Sequence, residues 1–182
     1  MRYVTESDIK EMRARGYDAQ TIHDAESDAK LTKAADELIL RVNHSFKGVV
    51  LGSGVGLSEG QGRDDYADEE TCARLRANDE KEDWAVISSD DLNSCHSSLS
   101  FFDAEGMRFH LPAFMVCELR GQFNFGMSFC LTYLKQHCRE QFELLNKEQR
   151  SVVREFLEFL RRDPDYEFHI SDIDRALRIF WT

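Results

Sequence analysis

A chain of 182 residues, 42% hydrophobic and 31% charged, has the length of one domain and can bury roughly 70% of the surface it would expose unfolded. That excludes an intrinsically disordered chain and one that needs disulfide or metal staples. A formal net charge of −11 excludes a nucleic-acid binder, whose phosphate contacts need a basic face, and leaves a basic protein as the partner that charge favours.

The N-terminus MRYVTESDIK has no apolar h-region, and no uninterrupted apolar run reaches membrane length, so neither a signal peptide nor membrane contact is expected. The five cysteines (Cys72, Cys95, Cys117, Cys130 and Cys138) are odd in number, and several sit in apolar text. They read as core thiols of a reducing compartment, which predicts a cytoplasmic protein.

In chain order, a helix is predicted over 6–15, with Thr5 or Ser7 as cap, Ile9 and Met12 inward, and Gly16 closing it. Asp18 caps a second helix that runs to about 46, with room for a break near Ser27. Its stripe is Leu31, Ala35, Leu38 and Val42. The glycine-rich text from Lys47, KGVVLGSGVGLSEGQGRDDYADEE, reads as a loop over 48–62 with room for a short strand at 49–51. A short helix follows over 69–78, then an apolar anchor at 84–87 and a capped turn at 88–91.

The strongest β pattern lies in SSLSFFDAEGMRFHLPAFM. Leu99, Phe101 and Phe102 precede the turn Asp103-Ala104-Glu105-Gly106. Met107, Phe109 and Leu111 then alternate with Arg108 and His110. This predicts a small antiparallel β-hairpin near 99–111, with Pro112 opening a helix to about 120. A helix is also predicted over 126–138. Asn146 caps another to about 162, with Val152, Val153, Phe156, Leu157 and Leu160 inward, stopped by Asp163-Pro164. The last helix is predicted from Ser171, with Asp174 completing a capping box. The expected fold is mainly α (α+β): a single-domain helical bundle with one hairpin.

The text SLSFFDAEGMRFHLPAFM resembles the core of a bacterial family of unknown function that reads approximately L-S-F-x-D-x-E-G-x-R-F-Y-L-P-A-Y-M. Asp64-Asp65-Tyr66, the Trp84 segment and LLNKEQRSVVREFLEFL from Leu144 extend the likeness. His110 and Phe114 depart from it, standing where the family has tyrosine. The resemblance implies a bacterial origin and no particular activity. It sets a family-like core at 34–162, an N-terminal helical extension at 1–33 and a C-terminal helix at 163–182.

Chemical motifs are few. Gly52-Ser53-Gly54-Val55-Gly56 is not G-x-G-x-x-G, lacks G-K-[ST], and is followed by acids rather than by the helix a phosphate loop needs. The acids Asp64, Asp65, Asp68, Glu69 and Glu70 lack the calcium-loop order. Cys95 and His96, with His110 as a base, make a poor nucleophile pair, since adjacent residues rarely face each other. The cysteines lack paired zinc spacing. No catalytic residue, cofactor or metal is therefore expected.

Two readings of function remain. In the first, the protein binds a basic partner, as an immunity protein binds a toxin. Residues 58–83 hold ten acidic and four basic side chains. Asp64, Asp65, Asp68 and Glu69 would supply the field, and Tyr66 and Trp84 the aromatic anchors. In the second, a small enzyme or anion-binding protein uses the strand face of Arg108 and His110, with Asp103 and Glu105 at the turn.

Overall fold

The computed structural model describes residues 3–182, apart from the side chain of His137. The described residues form ten α-helices and no strand, so the fold is all-helical and the expected hairpin at 99–111 does not exist. In chain order the helices are α1 (Glu6–Ala14), α2 (Ala19–Ser45), α3 (Leu57–Asp64), α4 (Glu69–Asn78), α5 (Ser89–Ser94), α6 (Ala104–Leu119), α7 (Ser128–Thr132), α8 (Gln136–Glu140), α9 (Lys147–Leu160) and α10 (Ile170–Ile179). Short 3-10 turns lie at Trp84–Val86, His96–Ser100 and Pro164–His169.

The predicted hairpin is the first half of α6. Asp103 is the N-cap: its carboxylate accepts from the backbone N–H of Gly106 at 2.8 Å and from that of Val55 at 3.1 Å. Asp-Ala-Glu-Gly serves a helix start as well as it would serve a turn. α6 buries 12 of its 16 residues and has no polar face, so it carries no 3.6-residue stripe to distinguish it from a strand. Pro112 sits mid-helix rather than in a first turn, which leaves the Arg108 carbonyl without its helical donor.

α2 packs on both α6 and α9. Ala35, Val42 and Phe46 of the first segment, Phe109 and Phe114 of α6, and Val153, Phe156 and Leu160 of α9 are all fully buried in one core. Trp181 closes it, donating its indole N–H to the Leu131 carbonyl at 2.9 Å. Asn146 and Gln149 form a capping box at the start of α9, with bonds of 2.9 and 3.1 Å. α10 has no such box: it grows out of the preceding 3-10 turn at Ile170, and Asp174 instead pairs with Arg161 at 2.7 Å. α1 and the start of α2 bury a separate small cluster of Val4, Ile9 and Ala25.

The glycine-rich segment contains no strand and is not all loop, because α3 lies inside it. Its glycines mark close packing. A Cβ on Gly54 would stand 2.5 Å from the Gly106 nitrogen, and one on Gly60 would stand 2.8 Å from Cβ of Ser98. The Ser98 hydroxyl donates to the Leu57 carbonyl at 2.7 Å, so the 3-10 turn His96–Ser100 lies tight against α3.

Candidate functional site

A helix does follow the glycine loop, contrary to the sequence expectation. The anion position at its N-terminus is already filled from within the chain. Asp79 accepts from the backbone N–H groups of Ser58 at 2.8 Å and Glu59 at 3.2 Å, and Glu59 accepts from that of Gly56 at 3.0 Å. Glu59 is buried and paired with Arg63 at 2.7 Å and Arg76 at 3.5 Å. Arg76 also donates to the carbonyls of Gly52 and Gly54 at 2.9 and 3.0 Å. Asp79, Glu59 and Arg76 therefore hold the loop together.

The outward acids gather at the turn between α3 and α4. The N–H of Ala67 reaches back to the Gly62 carbonyl at 2.9 Å, and that of Tyr66 to the Arg63 carbonyl at 3.3 Å. This is the Schellman pattern, and it places Tyr66 at the left-handed position where glycine is usual. Tyr66 has φ +58°, is the one non-glycine residue with positive φ among the described residues, and is 96% exposed. A left-handed conformation costs a bulky L-residue about 1–2 kcal/mol, and Tyr66 recovers none of this by packing. Asp65 accepts from the Gln61 amide at 3.2 Å. Asp68 caps α4 through the Thr71 N–H at 2.8 Å, a bond that holds its carboxyl below the usual range. Asp65, Asp68, Glu69 and Glu70 are exposed and Asp64 is half-buried. Trp84 does not join them. It is 5% exposed, with its indole N–H bonded to the Phe46 carbonyl at 3.0 Å, and it belongs to the core.

A second feature is absent from the sequence reading. A cleft of about 340 Å³ opens beside the 3-10 turn His96–Ser100 and is lined by His96, Leu99, Phe123, Phe125, Phe129 and Tyr133, with Cys130 and Cys138 in its wall. The His96 ring stacks on Phe125 at 3.5 Å, and Phe129 on Tyr133 at 4.9 Å. Phe125 and Phe129 are 56% and 64% exposed, an unusual cost in exposed aromatic surface. A cation already rests on one ring, with Lys135 Nζ lying 5.0 Å from the centre of Tyr133. The 3-10 turn joins the cleft to α3: Ser98 packs on α3 at Gly60 while His96 and Leu99 face the cleft. Burial, helped by the carboxylates of Asp79, Asp91 and Asp65, pushes the Cys95 thiol up to about 11. Such a thiol is no nucleophile at neutral pH.

The alternative site dissolves with the strand that was to carry it. On a helix, residues two apart point in nearly opposite directions, so Arg108 and His110 do not share a face. His110 is fully buried, its ring stacked on Phe102 at 4.4 Å. Its Nδ1 lies 2.8 Å from the Gly106 carbonyl and acts as the donor, while Nε2 meets no partner. Burial drives its pKa down to about 4, so the ring is neutral. The buried Nε of Arg108 also lacks a partner. Glu105 accepts from the Ser53 hydroxyl at 2.5 Å, and Asp103 is spent on capping. Among the described residues, no group of three or more His, Cys, Asp or Glu side chains is placed to hold a metal ion, and no helix is long and apolar enough to cross a membrane.

Residues 34–182 match the family of unknown function DUF6714, and the chain belongs to that family. The match includes α10, which the sequence reading set outside the family-like core, and begins within α2. No curated protein and no solved structure matches the chain.

Proposed function

We propose that this protein works by binding a basic protein surface, in the manner of an immunity protein neutralising a toxin, in the cytoplasm of a bacterium. The observation that carries the reading is Tyr66: an exposed ring held in a costly left-handed conformation, within three residues of Asp64, Asp65, Asp68 and Glu69 in the chain. Backbone strain without a packing return is characteristic of functional positions, and an aromatic anchor set in a charged rim is the usual composition of a binding hot spot. The carboxylates steer a basic partner, and Tyr66 supplies apolar contact once it arrives. The aromatic cleft complements this, since an arginine or lysine side chain from the same partner fits against the exposed rings of Phe125 and Phe129.

The test begins with capture of partners from the native host on immobilised protein, in parallel with Tyr66→Gly and with the triple variant Asp64→Asn, Asp65→Asn, Asp68→Ser. Serine at 68 keeps a cap for α4. A basic protein retained by the wild type and lost from both variants is the expected result. Equal retention by all three would remove the acidic turn from the account.

A further inference from the structure

Two stacked ring pairs line the aromatic cleft, and the chain holds each in place. Asn93 fixes the pair of His96 and Phe125. Its carbonyl accepts from His96 Nδ1 at 3.2 Å, its side-chain amide donates to the Gln122 carbonyl at 2.8 Å, and its side-chain oxygen accepts from the Asn124 N–H at 2.9 Å. The turn that carries His96 and the loop that carries Phe125 are thereby tied together. Phe123 backs Phe125 at 5.9 Å and is itself buried, edge-on to Phe114 at 5.2 Å. The other pair, Phe129 and Tyr133, is set one turn apart by α7. Among the described residues no ring contact joins one pair to the other. The pairs are not packed together, and the open surface of Phe125 and Phe129 is left without a protein partner.

The lining decides what chemistry fits. Among the described residues it holds no carboxylate, lysine or arginine, and the Gln141 amide is spent on the carbonyls of Leu99 and Phe102 at 3.2 and 2.8 Å. The negative ring faces repel an anion. A primary ammonium or a guanidinium lies against these rings only with its N–H groups turned to water, because a buried N–H without an acceptor is costly. A quaternary ammonium has no N–H to leave unpaired, and aromatic faces bind it well. One cation stands beside the cleft: Lys135 is exposed, its Nζ rests 5.0 Å from the centre of the Tyr133 ring, and it has no ion-pair partner among the described residues.

We propose that the cleft is a binding site for a small zwitterion with a quaternary ammonium at one end and a carboxylate or phosphate at the other, of the betaine or phosphocholine kind. The trimethylammonium head rests on the open rings of Phe125 and Phe129, and the anionic end reaches Lys135 beside Tyr133. The space of about 340 Å³ is that of a small-ligand pocket. Ligand and the partner's side chain would compete for the same rings. The site does not depend on a protein partner, however, and is tested without one.

Isothermal titration calorimetry on the full chain, with glycine betaine, carnitine and phosphocholine in separate titrations, tests this. At least one should bind at a single site per chain, and the carboxylates against the phosphate identify the anionic end. The analogue tert-butylacetate keeps the shape and carboxylate of betaine without its positive charge, and should bind roughly tenfold more weakly than betaine or carnitine if a carboxylate is preferred. Phe129→Ala removes a mostly exposed ring, so the variant should melt as the wild type does and bind the zwitterion roughly tenfold more weakly. Lys135→Gln should weaken binding by roughly threefold or more and make it less sensitive to salt. No binding of any of the three into the millimolar range, equal binding of tert-butylacetate and betaine, or either variant binding like the wild type would each overturn the proposal.

Discussion

Replacing His110 with Phe should remove a specific part of the protein's acid sensitivity. The imidazole is fully buried against Phe102, and burial lowers its pKa from 6.5 to about 4. For a base whose folded pKa lies below its unfolded value, the unfolded chain binds the proton first. Stability from this residue is complete above about pH 6.5 and drains away as pH falls towards 4. The loss is ~2 kcal/mol at pH 5 and ~3 kcal/mol at pH 4 relative to pH 7. Phenylalanine keeps the stack on Phe102 and discards the unpartnered Nε2, but adds volume and loses the Nδ1–H bond to Gly106, so stability at pH 7 should fall by ~1–3 kcal/mol. Many carboxylates also titrate in this range, so the informative quantity is the difference between wild type and His110→Phe. Urea unfolding of both proteins at pH 7, 6, 5 and 4 measures it. With acidification the difference between the two stability curves should shift in favour of His110→Phe by the pH-dependent amounts above. Curves that stay parallel from pH 7 to 5 would refute the burial argument.

Phe156→Ala should cost ~3–5 kcal/mol, because the ring is fully buried at the centre of α9, and thermal melting should show the drop. An unchanged melting temperature would mean that α9 is not core. Tyr66→Gly should stabilise the protein by ~1 kcal/mol, since glycine takes φ +58° freely, while weakening partner binding. A destabilised variant would show that the ring supports the fold after all. All five cysteines should titrate as free thiols in denaturant without reductant, and in the native state Cys117 should react slowly, because it is buried and its thiol is pushed up to about 11. Fewer than five reactive thiols in the denatured protein would point to a disulfide that this structure does not contain.

What could be read from the sequence was local. Thr5, Asp18, Asp68, Ser88 and Asn146 each cap the helix that follows them, because capping is settled within three residues of chain. What could not be read depends on distant partners. α6 reads as a hairpin because burial on every side erases the amphipathic period, leaving only a misleading alternation over 107–111. α3 reads as loop because its glycines are poor helix formers, and the reason for Gly60, the close approach of Ser98, lies far along the chain. Trp84 sits among acids yet buries itself under Phe46. The aromatic cleft depends on His96 meeting Phe125 across 29 residues of chain, and the one local hint was the density of rings in FNFGMSFCLTY. For the acidic turn, the text gave the charges and Tyr66, and the structure added the exposure and left-handed geometry of that ring.

The most direct test of the central claim is the association rate between this protein and its captured partner, measured by stopped flow against ionic strength. Wild type should associate fast and lose rate steeply as salt rises. The variant with Asp64→Asn, Asp65→Asn and Asp68→Ser should melt as the wild type does, associate roughly tenfold more slowly at low salt, and respond much less to added salt. Equal rates for the two proteins across that range would contradict the claim and leave the acidic turn as a solvated loop.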